Sequence, residues 1–154
     1  MKDGIIIQAR VGSTRLPGKI LLPFYQGKRI IDILIESICT TYPDKTIILA
    51  TSNNVHDEIL VKIAAKADIE CFRGDENDVL SRFIGAAETF GLERIIRVCS
   101  DNPFLQIDSF SNMFAESEKV SADYIAYAFP DGKPTILSHL GFFTELTTTN
   151  ALHK

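Results

Sequence analysis

Short apolar runs alternate along this chain with segments whose apolar positions recur every three or four residues. The run that ends at Gln8 and the run over 46–50 are rich in β-branched residues, which predicts fully buried strands. Ile30, Leu34 and Ile38 recur at helical spacing, which predicts an amphipathic helix. Because strands and helices alternate throughout, the pattern indicates a three-layer α/β fold with a mainly parallel sheet and right-handed crossovers.

The same pattern sets approximate element bounds. It predicts helices over 29–42, 55–67, 78–90 and from 108 or 109 to 119. It predicts strands over 5–8, 46–50, 69–72, 94–99 and 123–129. In the second helix Ile59 is expected to face inward, and Asp75 or Asn77 is expected to cap the third. A chain of 154 residues suits a single domain, residues 1–154.

The loop after the first strand has the composition of a phosphate-binding loop. It combines turn-forming glycines, hydroxyl donors and fixed positive charge within about one dozen positions, all of which suit a polyphosphate. The glycines are Gly12 and Gly18, the hydroxyls Ser13 and Thr14, and the cations Arg10, Arg15 and Lys19. We interpret the loop as a phosphate cradle.

Three other interpretations of this loop compete with the phosphate cradle. A Walker loop is excluded, because five residues separate Gly12 from Gly18 and Ile20 stands where its hydroxyl belongs. A dinucleotide fingerprint is excluded by the glycine spacing. An ordinary strand-to-loop connection with solvated cations stays open from the chemistry alone.

Two further polar segments follow predicted strands. Thr51 begins a polar loop after the second strand, and Asp101 lies in a tight loop before Pro103, after the strand over 94–99. In an open α/β sheet ligands bind at this end of the strands, and a carboxylate there suits Mg²⁺. An aspartate that caps a turn before proline is the open alternative for Asp101.

Charge and cysteine content narrow the function classes. The net charge of −4 argues against general nucleic-acid binding, but residues 1–29 carry +5 and the remainder −9. Positive charge around the cradle suits a small anionic ligand. Cys39, Cys71 and Cys99 form no C-x-x-C pair and are expected to be buried reduced thiols. With no visible signal peptide and no apolar stretch that could span a bilayer, we expect a cytoplasmic protein without membrane partners.

The stretch Q-A-R-V-G-S-T-R-L-P-G-K-I-L-L closely resembles the opening signature of sugar-acid cytidylyltransferases, above all the spore coat polysaccharide biosynthesis protein F family. The CMP-Kdo and CMP-neuraminate synthetases are related to that family. The resemblance implies a Rossmann-like nucleotidyltransferase fold, and a cradle that wraps the triphosphate of CTP. The resemblance implies phosphate contacts for Arg10, Ser13 and Lys19. Together with the chemistry of the loops, it predicts a nucleotide site of Gln8, Ala9, Arg10, Gly12, Ser13, Thr14, Arg15, Lys19 and Thr51, with Arg10 and Lys19 as catalytic cations.

Two later segments carry the same resemblance. F-R-G-D-E-N-D-V-L-S-R-F is similar to a family motif that would bring Arg73 and Asp78 to the nucleotide, although a helix-capping role for Asp78 stays open. S-D-N-P-F-L is similar to the motif whose aspartate, here Asp101, binds the catalytic metal. Ser100 replaces the usual glycine, and Cys99 stands where related synthetases often carry glutamine, so the sugar is left undetermined.

The segment G-F-F-T-E-L resembles a family segment that would place Glu145 on the acceptor side of the cleft, together with Asn102. The alternative is that Glu145 is a surface glutamate on a strand.

The family's domain continues past residue 154, so the chain looks like a partial one. The implied reaction is Mg²⁺-dependent transfer of CMP from CTP to a sugar or sugar acid, with a homodimer as one option. Transfer from another nucleotide to a sugar phosphate, and a non-catalytic nucleotide-binding module, are the competing hypotheses.

Overall fold

The structure is a computed structural model that describes residues 1–12, 16, 18–138 and 141–154. Four α-helices and eight strands are defined in these ranges, with short 3-10 turns between them. The strands are β1 (Asp3–Gln8), β2 (Pro23–Tyr25), β3 (Lys28–Arg29), β4 (Thr46–Ser52), β5 (Glu70–Gly74), β6 (Arg94–Cys99), β7 (Tyr124–Ala126) and β8 (Glu145–Thr148). The helices are α1 (Ile30–Thr41), α2 (Glu58–Lys66), α3 (Val79–Thr89) and α4 (Phe110–Lys119).

Six of the strands form one sheet in the order β5-β4-β1-β6-β8-β7. Strand β1 lies at its centre and pairs in parallel with β4 and β6, so that Gln8 is opposite Ala50 on one side and Cys99 on the other. In this six-stranded sheet β8 runs antiparallel to both of its neighbours, β6 and β7. The predicted mainly parallel α/β architecture is confirmed.

The alternation of side chains along the central strand divides the core into two layers. Ile5 and Ile7 face the layer covered by α1, α2 and α4, whereas Ile6 faces the layer covered by α3. All three isoleucines are fully buried. Helices therefore cover both faces of the sheet, which leaves the carboxyl ends of the parallel strands open at one edge.

Several predicted bounds are wrong at the ends of elements. The helix expected over 55–67 begins with a 3-10 turn, Val55–Asp57, and Ile59 is exposed instead of buried. Strand β4 continues through Thr51 and Ser52, which were expected in a loop. Strand β7 covers only three of the seven residues expected over 123–129. A two-stranded hairpin of β2 and β3, which the pattern did not predict, precedes α1.

The described helices include none that is both long and apolar enough to cross a lipid bilayer.

Candidate active site

A cleft of about 330 Å³ opens where β1 and β6 end. Because the two strands are parallel neighbours, the loops that follow Gln8 and Cys99 leave the sheet side by side. The amide of Ser100 donates to the carbonyl of Gln8, which fixes these two exits together. The sequence-predicted residues that line the cleft are Gln8, Arg10, Gly12, Lys19 and Asp101. The structure thus brings the cradle loop and the predicted metal ligand to a single site.

Lys19 and Asp101 meet inside this cleft. The Lys19 ammonium Nζ lies 2.8 Å from Oδ2 of Asp101, and their side chains are 37% and 54% exposed. Lys19 begins a 3-10 turn directly after Gly18, whose backbone has a φ of 67° that favours glycine. The cation and the carboxylate are both accessible to a ligand, and each is the other's counter-charge.

The second wall of the cleft is the N-terminus of α3, which follows the loop that joins β5 to α3. Arg10 Nη1 donates to the carbonyl of Glu76 at 3.5 Å, and the Glu76 carboxylate accepts from Asn54 Nδ2 at 2.8 Å. Val79, the first residue of α3, also lines the cleft. The cradle loop therefore faces the N-terminus of α3 across the cleft.

Arg73 and Thr51 lie outside the cleft lining. The Arg73 guanidinium donates to the carbonyls of Ser52 and Asn54, each at 3.0 Å, and pairs with Glu58 at 2.7 Å. Thr51 is fully buried in β4, and its hydroxyl has no hydrogen-bond partner among the described residues. Arg73 thus ties β5 to the end of β4, and nucleotide contacts by Arg73 and Thr51 stay a prediction.

Other predicted positions have local roles. Ala9 is buried, and its amide extends the pairing with β4 by donating to the Ala50 carbonyl at 3.0 Å. Asp78 is the N-cap of α3, where its carboxylate accepts from the Ser81 amide at 2.9 Å. The expectation that Asp75 or Asn77 caps this helix is wrong, because Asp75 instead accepts from the amides of Asn77 and of the cap residue Asp78. Predicted ligands Ser13, Thr14 and Arg15 lie outside the described residues.

Asp57 is a buried carboxylate that the sequence analysis did not identify. Asp57 is 2% exposed. One oxygen of its carboxylate accepts from the Val11 amide at 2.7 Å, and the other oxygen accepts from the Ser52 hydroxyl. It therefore joins the start of the cradle loop to the end of β4. In the sequence, Asp57 is only an acidic residue near the start of a predicted helix. Acidic residues are common there because they complement the helix dipole, so this position did not indicate a contact with the cradle loop.

Arg82 supports the opposite wall from inside the protein. Its side chain is fully buried, and Nη1 donates to the carbonyls of Asp75 at 2.6 Å and Glu76 at 2.8 Å. Burial, followed by the positive charge of Arg10, lowers the pKa of the Arg82 guanidinium. Arg82 fixes the backbone that accepts from Arg10, although the sequence analysis quoted it only as part of a motif.

A second cavity, of about 250 Å³, adjoins the cleft and shares Cys99 and Asp101 with it. Asn102 and Glu145, the two predicted acceptor-side residues, both line this cavity. Asn102 Nδ2 donates to the Gly141 carbonyl. Glu145 is 8% exposed, so the alternative of a surface strand glutamate is wrong. Both residues lie beside the predicted metal ligand.

The three cysteines are free, as expected, but the expectation that they are buried is wrong for each of them. Cys39 and Cys71 are partly exposed, and Cys99 is exposed at the junction of the cleft and the second cavity. Partial desolvation and the negative charge of Asp101 raise the pKa of the Cys99 thiol. The Cys99 side chain is therefore a neutral thiol at physiological pH.

Among the described residues that line the cleft, Asp101 supplies the only carboxylate. Across residues 1–12, 16, 18–138 and 141–154, no three His, Cys, Asp or Glu side chains form a metal-binding group. This donor set fits Mg²⁺, which is bound through one or two carboxylates together with substrate phosphates and water. It does not fit structural zinc, which takes four protein ligands.

A larger cavity of about 530 Å³ lies between α1 and α2, and its described lining residues differ from those of the cleft. Four of its charged side chains form two ion pairs, Arg29 with Asp32 at 2.6 Å and Lys28 with Glu36 at 2.5 Å. Hydrogen bonding from Arg29 lowers the pKa of the Asp32 carboxyl. Volume alone therefore does not mark the candidate active site.

The fold and the cleft define a nucleotidyltransferase-like α/β protein whose ligand site lies at the carboxyl ends of parallel strands. The family model described as cytidylyltransferase matches residues 4–152, and the chain belongs to that family.

Known relatives support this assignment. The spore coat polysaccharide biosynthesis protein SpsF of Bacillus subtilis (strain 168) is 37% identical over 123 residues, which are 77% of this chain and 51% of that protein. A cytidylyltransferase structure from Leptospira borgpetersenii serovar Hardjo-bovis superposes with a TM-score of 0.86 at 30% identity, over 99% of this chain and 63% of that one. The chain therefore spans about half to three fifths of these relatives.

A more distant structure shares the fold. A CMP:2-keto-3-deoxy-manno-octonic acid synthetase solved in complex with CTP has a TM-score of 0.74 at 15% identity, and the match covers 99% of this chain and 76% of that one. The predicted Rossmann-like nucleotidyltransferase fold is confirmed.

Proposed function

We propose that this chain binds CTP in the cleft between β1 and β6 and forms part of a cytidylyltransferase that makes a CMP-sugar for polysaccharide biosynthesis. The observation that carries the proposal is the accessible pair of Lys19 and Asp101, which joins a phosphate-binding cation to a metal-binding carboxylate. The family match over residues 4–152 supports cytidylyl transfer. The name of the Bacillus subtilis relative supports polysaccharide biosynthesis, and spore coat is one specific setting.

The proposed reaction joins an acceptor hydroxyl to the α-phosphorus of CTP. A bond forms between the hydroxyl oxygen and phosphorus while the bond to pyrophosphate breaks, and the hydroxyl proton is released. Such a transfer depends on positioning and charge neutralisation more than on a protein nucleophile. No protein nucleophile is required.

Cationic side chains of the cradle supply the charge that this transfer needs. Arg10 and Lys19 line the cleft and would neutralise the triphosphate. The backbone of Gln8 and Ala9, fixed between β4 and β6, would position the nucleotide. Asp101 would hold Mg²⁺, which supplies positive charge at the phosphoryl group that is transferred. Lys19 would then exchange its contact with Asp101 for one with phosphate.

The setting and partners follow from the same proposal. The partners are CTP and a sugar or sugar acid, and the net charge of −4 argues against nucleic acid. Free cysteines and a nucleotide substrate favour the cytoplasm. Homodimerisation is a further option for the protein in solution.

A thermal-shift comparison of CTP, UTP, GTP and ATP, each with and without Mg²⁺, tests the nucleotide assignment. A ligand that binds the folded state raises the melting temperature by mass action. We expect the largest Mg²⁺-dependent increase with CTP, and equal increases with all four nucleotides would contradict the proposed base preference. Pyrophosphate release with CTP and a panel of sugars separates an enzyme from a binding module, since a module binds CTP without turnover.

A further inference from the structure

The cavity beside the cleft contains one cation whose hydrogen-bonding capacity is largely unused. Arg97 lines this cavity, two positions before Cys99 on β6 and therefore on the same face of the sheet. Lys19 and Arg10 line the neighbouring cleft instead. Among the described residues that line the second cavity, Arg97 is the only positively charged one.

The contacts of Arg97 hold its guanidinium rigidly without saturating it. Nη1 donates to Glu145, its cross-strand partner on β8, and the guanidinium carbon lies 4.8 Å from the centre of the Phe83 ring. The Nε atom is buried and has no hydrogen-bond partner among the described residues. The described residues also offer no partner to Nη2. Arginine carries five N–H donors, and the described residues accept a hydrogen bond from one of them.

Glu145 is occupied in holding Arg97. One of its oxygens accepts from Arg97, and the other accepts from the Tyr124 hydroxyl at 2.6 Å. The carboxylate is thus fixed from both sides, and its side chain is only 10% exposed. The Arg97 side chain is 37% exposed, so the cation is the more accessible partner of this pair. The other carboxylate at the cavity, Asp101, is already paired with Lys19.

We propose that Arg97 is a specificity-determining residue that binds an oxyanion, carboxylate or phosphate, on the acceptor substrate. Partly buried donors without partners are unfavourable, and a planar guanidinium matches the two oxygens of such a group. Because Cys99 and Asp101 line both cavities, an acceptor held at Arg97 would lie next to the bound nucleotide. This inference rests on the proposed function, since it takes the second cavity to be the acceptor subsite.

Titration of the protein with small anions tests this assignment directly. The reporter is the Arg97 Nε–Hε signal in a proton–nitrogen correlation spectrum, and the probes are sodium glycolate, inorganic phosphate, ethylene glycol and sodium chloride at matched ionic strength. Arg94 is the internal control, because it lies on the same strand but is buried in a pair with Asp3 at 2.6 Å. We expect glycolate or phosphate to shift the Arg97 signal saturably and to leave the Arg94 signal unchanged.

The two anions distinguish the source of the oxyanion. Tighter binding of glycolate indicates a sugar acid, and tighter binding of phosphate indicates a sugar phosphate. The proposal would be overturned if glycolate and phosphate shifted the Arg97 signal no more than chloride or ethylene glycol does.

A variant series separates this proposal from the proposed function. Arg97→Gln should weaken glycolate binding, followed by saturation-transfer NMR on the probe, by about tenfold or more, which corresponds to about 1.4 kcal/mol. Lys119→Gln, on the exposed face of α4, should not change it. The CTP-induced rise in melting temperature should persist in Arg97→Gln. Absence of that rise in the wild type would contradict the proposed function, whereas unchanged glycolate binding in Arg97→Gln would contradict only the role of Arg97.

Discussion

Lys19 and Asp101 are separated by 82 positions in the sequence, yet their charged atoms lie 2.8 Å apart. Both side chains are at least one third exposed, and exposed ion pairs contribute only about 0–1 kcal/mol to stability. The pair is thus a weak contribution to folding in an accessible cleft. At the scale of single residues, its chemistry points to ligand binding.

Removal of the Lys19 cation should reduce nucleotide affinity without loss of the fold. We expect Lys19→Ala to raise the Kd for CTP with Mg²⁺ about tenfold or more, because a hydrogen bond to a charged group is worth about 1.5–3 kcal/mol. Isothermal titration calorimetry measures this change, and Lys119→Ala is the control, since Lys119 is 69% exposed beside Glu116. An unchanged Kd in Lys19→Ala, or an unfolded variant, would remove Lys19 from the site.

Neutralisation of Asp101 should weaken the binding of Mg²⁺. Asp101→Asn keeps the size of the side chain but removes the charge that favours a divalent cation, so we expect CTP binding to need a higher Mg²⁺ concentration. A Mg²⁺ titration at fixed CTP, followed by melting temperature, measures the shift. Asp44→Asn is the matched control, because the Asp44 side chain is 75% exposed and lies next to Lys45. Identical titration midpoints for Asp101→Asn and the wild type would show that the metal is bound elsewhere.

The chemically active residues differ in how far the sequence could reveal them. Lys19 and Asp101 follow strands predicted from apolar runs, and the open end of a parallel sheet brings such loops together. Asp57 and Arg97 could not be found in this way. Their roles depend on Val11, 46 positions from Asp57, and on Glu145, 48 positions from Arg97.

At the scale of elements, the cradle loop is held by its neighbours. Asp57, in the turn before α2, accepts hydrogen bonds from Val11 in the loop and Ser52 at the end of β4. The hydrophobic pattern predicted the existence of these elements, but it did not predict their ends. The 3-10 turn over Val55–Asp57 has no apolar signature, since its geometry follows from the side chain of Asn54, which accepts from the His56 amide.

Truncation of Asp57 should destabilise the protein and loosen the cradle. Asp57→Ala leaves two donors without a partner, and a buried unsatisfied donor costs about 1–3 kcal/mol. We therefore expect a loss of at least that size in the free energy of unfolding, measured with urea, and faster hydrogen exchange at the Val11 amide. Asp44→Ala, with an exposed carboxylate, should change neither. Wild-type stability and exchange in Asp57→Ala would show that this carboxylate does not hold the loop.

At the scale of the whole molecule, the helices and charges are distributed unevenly. Helices α1, α2 and α4 cover one face of the sheet, while α3 covers part of the other. On that second face Arg97, Cys99 and Glu145 line an open cavity. The cradle also lies within residues 1–29, which carry +5 while the remainder carries −9. Of the cations in this segment, Arg10 and Lys19 line the cleft, whereas Lys28 and Arg29 line the larger cavity between α1 and α2.

Mapping of CTP onto the backbone amides tests the central claim most directly. In a proton–nitrogen correlation spectrum, titration with CTP and Mg²⁺ should shift the amides of Gln8, Arg10, Lys19 and Asp101 at the edge of β1 and β6. The same titration should leave the amides of α1 and α2, around the larger cavity of about 530 Å³, unchanged. Shifts confined to α1 and α2, or no saturable shift at the cleft, would contradict the account.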